Sequence, residues 1–245
     1  MEAVLGLTWP VLLAVALVVL AAAITQGTLG FGFGLFALPF VGLLAPELLP
    51  QVLLMLGMSI AAWVAWRERD AIDWSRLRPL MPGRVLGVVP AAAIVAIASP
   101  QVLDAMFGTI GLLAVAIASR RGAPSLGRAS TFGAGMLSGL MGTATGIGGP
   151  PLVAALRNLE GAPRRATLSA TLFLGTVVSI VGLVVAGRFT GRDLLIGGVL
   201  LMPLLVGARV STPLLGHIPE RIGRVAVLGL CTAGSVGILV RAVTG

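Results

Sequence analysis

Two stretches combine glycine and proline in a way that could hold an anion: 25-TQGTLGFGFGLFALPFVG-42 and 139-GLMGTATGIGGPP-151. In the first, Gly30, Gly32 and Gly34 alternate with Phe31 and Phe33, and Pro39 follows. In the second, Gly146, Gly148 and Gly149 flank Ile147, and Pro150 and Pro151 follow. Glycine weakens a helix by roughly 1 kcal/mol relative to alanine, and proline removes a backbone donor, so each stretch should interrupt a helix. A helix that restarts after such a break presents free N–H groups and the positive end of its dipole, which together can replace the hydration shell of a small anion. Gln26, Thr28, Thr143 and Thr145 add side-chain donors beside the two breaks. The competing role for these glycines is close helix packing, which small residues often provide in membranes. Two equivalent breaks in one chain favour the site.

The elements that would carry these stretches are membrane helices. The chain of 245 residues is 57% hydrophobic and 11% charged, with a mean hydropathy of +1.05, against about 25% charged residues in soluble domains. Apolar runs long enough to cross about 30 Å of hydrocarbon recur from Trp9 to Arg241, so residues 1–245 form a single membrane domain. The net charge of +8 comes from arginines in short loops between these runs. That is a topology signal rather than a nucleic-acid surface, and no nucleic-acid partner is expected. One cysteine excludes an internal disulfide. The first apolar run has no basic segment before it and continues into the glycines, so a cleaved signal peptide is not expected.

The runs fall into two sets. One long segment at 8–45 precedes runs at 48–66, 79–98 and 102–119; a second long segment at 131–156 precedes runs at 166–186, 194–215 and 222–243. Gly27 and Gly30 match Gly139 and Gly142, Asp73 matches Asp193, and 99-SPQVL-103 resembles 218-IPERI-222. The reading is a diverged duplication, with repeats at about 4–121 and 126–245, a form common in secondary transporters. Arg67, Arg69, Arg76, Arg78 and Arg84 crowd one loop of the first half; in the second half the richer loops are the other two, with Arg157, Arg164 and Arg165 in one and Arg221 and Arg224 in the next. This shift favours inverted halves, each opening with a helix and a return helix, about 8–10 membrane segments in all. Parallel halves with a single first pass would instead place Arg157, Arg164 and Arg165 outside.

These paired stretches resemble the TauE/SafE family of sulfite and organosulfonate exporters, and the likeness extends over essentially the whole chain. The segment 164-RRATLSATLF-173 is similar to the arginine- and hydroxyl-rich helix start that follows the second break in that family. The first half departs from the pattern, because phenylalanines separate its glycines. The resemblance implies a carrier for sulfite, an organosulfonate or a related organic anion in the inner (plasma) membrane, coupled to a gradient of H+ or Na+, with a homodimer left open.

The expected substrate-binding set is Gln26, Thr28, Gly30, Phe31, Gly32, Phe33, Gly34, Thr143, Thr145, Gly146, Ile147, Gly148, Gly149, Pro150, Arg165 and Thr167. A guanidinium fork matches sulfonate or carboxylate geometry, which is the case for Arg165; the alternative is a cytoplasmic anchor. Arg209 is expected to snorkel, and Asp104 and Asp193 to cap helix starts. No metal, cofactor or enzymatic activity is expected: His217 has no ligand-spaced companion, and no nucleophile and base share a run. Besides a secondary transporter, an anion channel fits the same features.

Overall fold

The computed structural model describes residues 3–4, 6–119, 128–215, 217 and 220–244. The join between the two sets of runs, at 120–127, lies outside the described residues, as do positions 218 and 219 of the repeat match and the side chains of Arg221 and Arg224. After a short antiparallel ribbon, Ala3–Val4 with Leu7–Thr8, the regular elements among the described residues are all helices. In chain order the helices are α1 (Trp9–Leu29), α2 (Phe33–Leu44), α3 (Gln51–Arg67), α4 (Trp74–Leu77), α5 (Met81–Ile97), α6 (Pro100–Ser119), α7 (Arg128–Thr145), α8 (Gly149–Ala155), α9 (Gly161–Val185), α10 (Gly191–Ser211) and α11 (Glu220–Thr244). Five of them, α1, α6, α9, α10 and α11, are long and apolar enough to cross a membrane. With the shorter apolar helices α2, α3 and α5 packed among them, this is an all-α integral membrane protein.

Each long opening segment is broken where the glycines stand. The chain leaves α1 at Leu29 and re-enters a helix at Phe33; it leaves α7 at Thr145 and re-enters at Gly149. Both return helices fold back on the helix before them. Side chains such as Leu13, Leu17, Val89, Met202 and Val243 are exposed on the outside of the bundle, as a lipid-facing surface requires. Trp9 stands at the start of α1, while Trp66 and Trp74 stand at the opposite end, beside the end of α3. Exposed tryptophans at helix ends suit the two membrane interfaces.

The pairings between helices follow one plan twice. α1 packs on α10 and α7 on α5; α2 packs on α11 and α8 on α6; α10 packs on α3 and α5 on α9. The remaining large pairings, α3 with α9 and α6 with α11, join matching members of the two sets. Both of these run antiparallel. The end of α3 meets the start of α9 through Glu68 and Arg165, while the start of α3 meets the residue beyond α9 through Gln51 Nε2 and the Arg188 carbonyl at 2.7 Å. In the same way Asp104 early in α6 pairs with Arg241 late in α11 at 2.6 Å.

Glycine makes the seams. Along the parallel pair α5–α7, a Cβ on Gly83 would overlap the Phe132 carbonyl, one on Gly87 that of Met136, one on Gly135 that of Leu80 and one on Gly139 that of Arg84. The four glycines therefore form two interlocking small-xxx-small rows that bring the backbones together. The α1–α10 pair repeats this with Gly207 against Leu20 and Ala23 and with Gly27 against Ser211. Filling such a seam forces two backbones apart, and overpacking typically costs about 1–3 kcal/mol. Gly87→Ala is therefore expected to lower the melting temperature of the detergent-solubilised protein, whereas Gly133→Ala, which meets nothing within 4 Å inside a helix, leaves it unchanged or raises it.

Candidate functional site

The first break is built by two glycines in backbone conformations that other residues rarely adopt. Gly30 has φ 79° and closes α1 by donating its N–H to the Gln26 carbonyl at 2.7 Å; Gly32 has φ 111° and opens α2. Gln26 is 3% exposed, and its Oε1 accepts from the Phe33 N–H at 3.1 Å. One buried amide thus ties the end of α1 to the first donor of α2. The next two N–H groups, of Gly34 and Leu35, have no acceptor among the described residues, as expected in the first turn of a helix.

At the second break Gly146, with φ 80°, donates to the Gly142 carbonyl at 2.7 Å. Thr145 Oγ1 donates to the Met141 carbonyl and accepts from the Ile147 N–H. Ser138 Oγ donates to the Gly148 carbonyl at 2.5 Å, and Arg84 Nη1 donates to Ser138 Oγ. Here the return helix α8 carries Pro150 and Pro151 in its first turn, so two N–H groups that α2 retains are missing. The two breaks are alike in path and unlike in chemistry.

The breaks meet at the centre of the bundle. A Cβ on Gly34 would overlap the carbonyl oxygen of Gly146 and reach 3.3 Å from the Ile147 Cα, so the two backbones touch there without an intervening side chain. Between them lies a cavity of about 30 Å³. A cavity needs only about 10–15 Å³ to admit a water, so this one has room for a small ion or a water. Gln26, Gly32, Phe33 and Gly34 line it from the first half, and Gly146, Ile147, Gly148, Gly149 and Pro150 from the second. Its remaining wall comes from Leu35, from Leu53, Leu54 and Gly57 on α3, and from Leu172 and Thr176 on α9.

The other residues expected at the site stand around it rather than in its wall. Thr28 Oγ1 donates to the carbonyls of Ile24 and Thr25. Gly30 lies against the backbone of Arg165, and its carbonyl accepts from Ser169 Oγ at 3.3 Å. Phe31 is buried behind Gly149; Thr143 shares a hydrogen bond with Ser179 at 2.7 Å, and Thr145 caps its own break. Thr167 Oγ1 accepts from the Asp73 N–H, fixing the turn before α4. Arg165 binds Glu68 Oε1 through Nε and Nη2 at 3.2 and 3.1 Å, and Arg67 Nη2 reaches the same oxygen at 3.0 Å and the Gly27 carbonyl at 2.8 Å. An ion-paired cluster therefore closes one end of the bundle just beyond Gly30.

Two sequence readings need correction. Arg84, assigned to a loop, lies within α5 and is 1% exposed; the sequence places it close to the end of an apolar run, and only the packing of α5 against α7 reveals its depth. Asp104 was expected to cap a helix start. It stands in the second turn of α6 instead, where both carboxylate oxygens pair with Arg241. Asp193 does cap, through a reciprocal pair of hydrogen bonds with Thr190, and Arg209 is exposed. Leu53, Leu54, Gly57, Leu172 and Thr176 carried no signal beyond membership of apolar runs.

Compared with models of known families, residues 15–238 match the one described as "Sulfite exporter TauE/SafE". No curated protein and no solved structure matches the chain.

The contact of Gly34 with Gly146 brings the two breaks together backbone to backbone. Gly34→Ala is expected to lower the melting temperature in detergent, while Gly198→Ala, which meets nothing within 4 Å inside α10, leaves it unchanged or raises it in the same measurement.

Proposed function

The chain belongs to the TauE/SafE sulfite exporter family, and from that premise we propose a secondary transporter that moves a small anion by alternating access to the cavity between its two breaks. Family membership makes it a multi-pass membrane transporter of sulfite or related compounds. The finer reading is that sulfite, an organosulfonate or a related organic anion crosses the inner (plasma) membrane. A gradient of H+ or Na+ supplies the drive.

The observation that carries this reading is that both breaks line one cavity at the centre of the bundle, although 112 to 116 positions separate them in the chain. Among the described residues, backbone N–H groups without an acceptor belong to Gly34 and Leu35, which line this cavity in the first turn of α2, an arrangement suited to a desolvated oxyanion. The duplication, with inverted halves, is supported by the exchanged helix pairings and by the antiparallel course of α3 with α9 and of α6 with α11. Inversion gives two similar ends that can open in turn. At one end Arg165 and Arg67 hold Glu68; at the other, Arg241 holds Asp104 and the Gly42 carbonyl beside a cavity of about 610 Å³ lined in part by Gln51, Phe107 and Arg188. A central space this small between ion-paired ends favours a carrier over a channel, because passage requires the ends to part.

In proteoliposomes the protein is expected to give saturable uptake of sulfite or a sulfonate with counter-transport. Gly32→Leu, which forces a side chain onto φ 111°, and Gly148→Leu, which fills the cavity wall, should abolish flux while leaving the protein in the membrane. Full flux in both variants would return these glycines to a packing role.

A further inference from the structure

Arg84 is the one arginine whose side chain is fully buried among the described residues. Arg67, Arg165 and Arg241 each meet a carboxylate, and the buried Asp193 is held by Thr190. Among the described residues Arg84 has no carboxylate partner: its Nη1 donates to Ser138 Oγ, and its Nε has no acceptor. A buried charge without a counter-ion is among the costliest groups a membrane protein can keep.

The surroundings of the guanidinium are cleared for it. A Cβ on Gly175 would overlap Nε, one on Gly148 would lie 3.1 Å from Nη1, and one on Gly142 would lie 3.6 Å from Nη2. Gly148 and Thr176, the residue after Gly175, both line the central cavity. The cation is therefore separated from the cavity by glycine backbone, on the side where Pro150 and Pro151 have removed N–H donors. Leu53, Leu54, Leu172 and the remainder of the wall bring no second charge of either sign.

We infer that Arg84 is the fixed counter-charge of the transported anion, and that the site accepts anions carrying a single negative charge, such as a sulfonate or bisulfite, over doubly charged ones. This rests on the carrier reading above. A monoanion leaves the buried site neutral, and a dianion leaves one uncompensated charge away from water, where the cost is steep. The empty site carries the opposite imbalance, so bound anion stabilises the fold through mass action.

Thermal unfolding of the full-length protein in detergent tests this, with methanesulfonate and sulfate as probes and with Arg84→Met and Arg84→Lys as variants. Wild type should bind methanesulfonate at least tenfold more tightly than sulfate, read from the concentration dependence of the melting temperature. Arg84→Met should melt at or above the wild-type temperature without ligand, because a buried charge is gone, and should lose the methanesulfonate response; Arg84→Lys should keep it. Methanesulfonate binding by Arg84→Met within twofold of wild type overturns the inference and leaves the carrier reading intact. Equal binding of sulfate and methanesulfonate by wild type also overturns it, and this comparison decides alone if Arg84→Met does not fold. A wild type that responds to neither these probes, sulfite nor acetate overturns the carrier reading itself and the inference with it.

Discussion

The governing constraint is that a backbone N–H or carbonyl in hydrocarbon must find a partner within the protein. Two interrupted helices at the centre of a membrane bundle leave many such groups open, and the fold around them supplies the partners. Gln26 reaches across the first break to Phe33, Thr145 folds over the second, Ser138 holds the Gly148 carbonyl, and Ser169 reaches the Gly30 carbonyl from α9. Among the described residues, the groups left without an acceptor include the N–H groups of Gly34 and Leu35, residues that line the cavity.

That closure depends in turn on how near the helices approach. Apolar side chains gain little from meeting one another in lipid, so contact must come from close backbone packing. The glycine rows of α5 and α7, and the matching small residues of α1 and α10, provide it on both flanks of the broken helices. The same closeness that binds α5 to α7 carries Arg84 to the second break. Packing and electrostatics are set there by one helix pair.

Much of this was legible in the sequence. The runs at 48–66, 102–119 and 194–215 lie close to α3, α6 and α10, and both breaks fall within the glycine stretches, where glycines cluster and a proline follows. Side-chain roles were less legible. Hydroxyls such as Thr28, Thr143 and Thr167 have the chemistry of ligands, yet they bond backbone or one another; composition cannot tell which direction a hydroxyl faces. The partners of Asp104 and Arg165 lie 137 and 97 positions away, a separation across which no local pattern extends. Arg84 was obscured for a related reason: the edge of an apolar run is the surface in an isolated helix, but the interior once another helix covers it.

A cavity with several glycines in its wall has a consequence for how such a protein diversifies. Gly146 at φ 80° and Gly32 at φ 111° cannot be exchanged freely, so these parts of the inner surface offer evolution few positions to vary. Change is channelled to side chains that share the wall, among them Phe33, Leu53, Leu54, Ile147, Leu172 and Thr176, and to Arg84 and Ser138 behind it. A lineage could thus alter the space between the breaks through residues on α3, α5 and α9 while both breaks pass through unchanged.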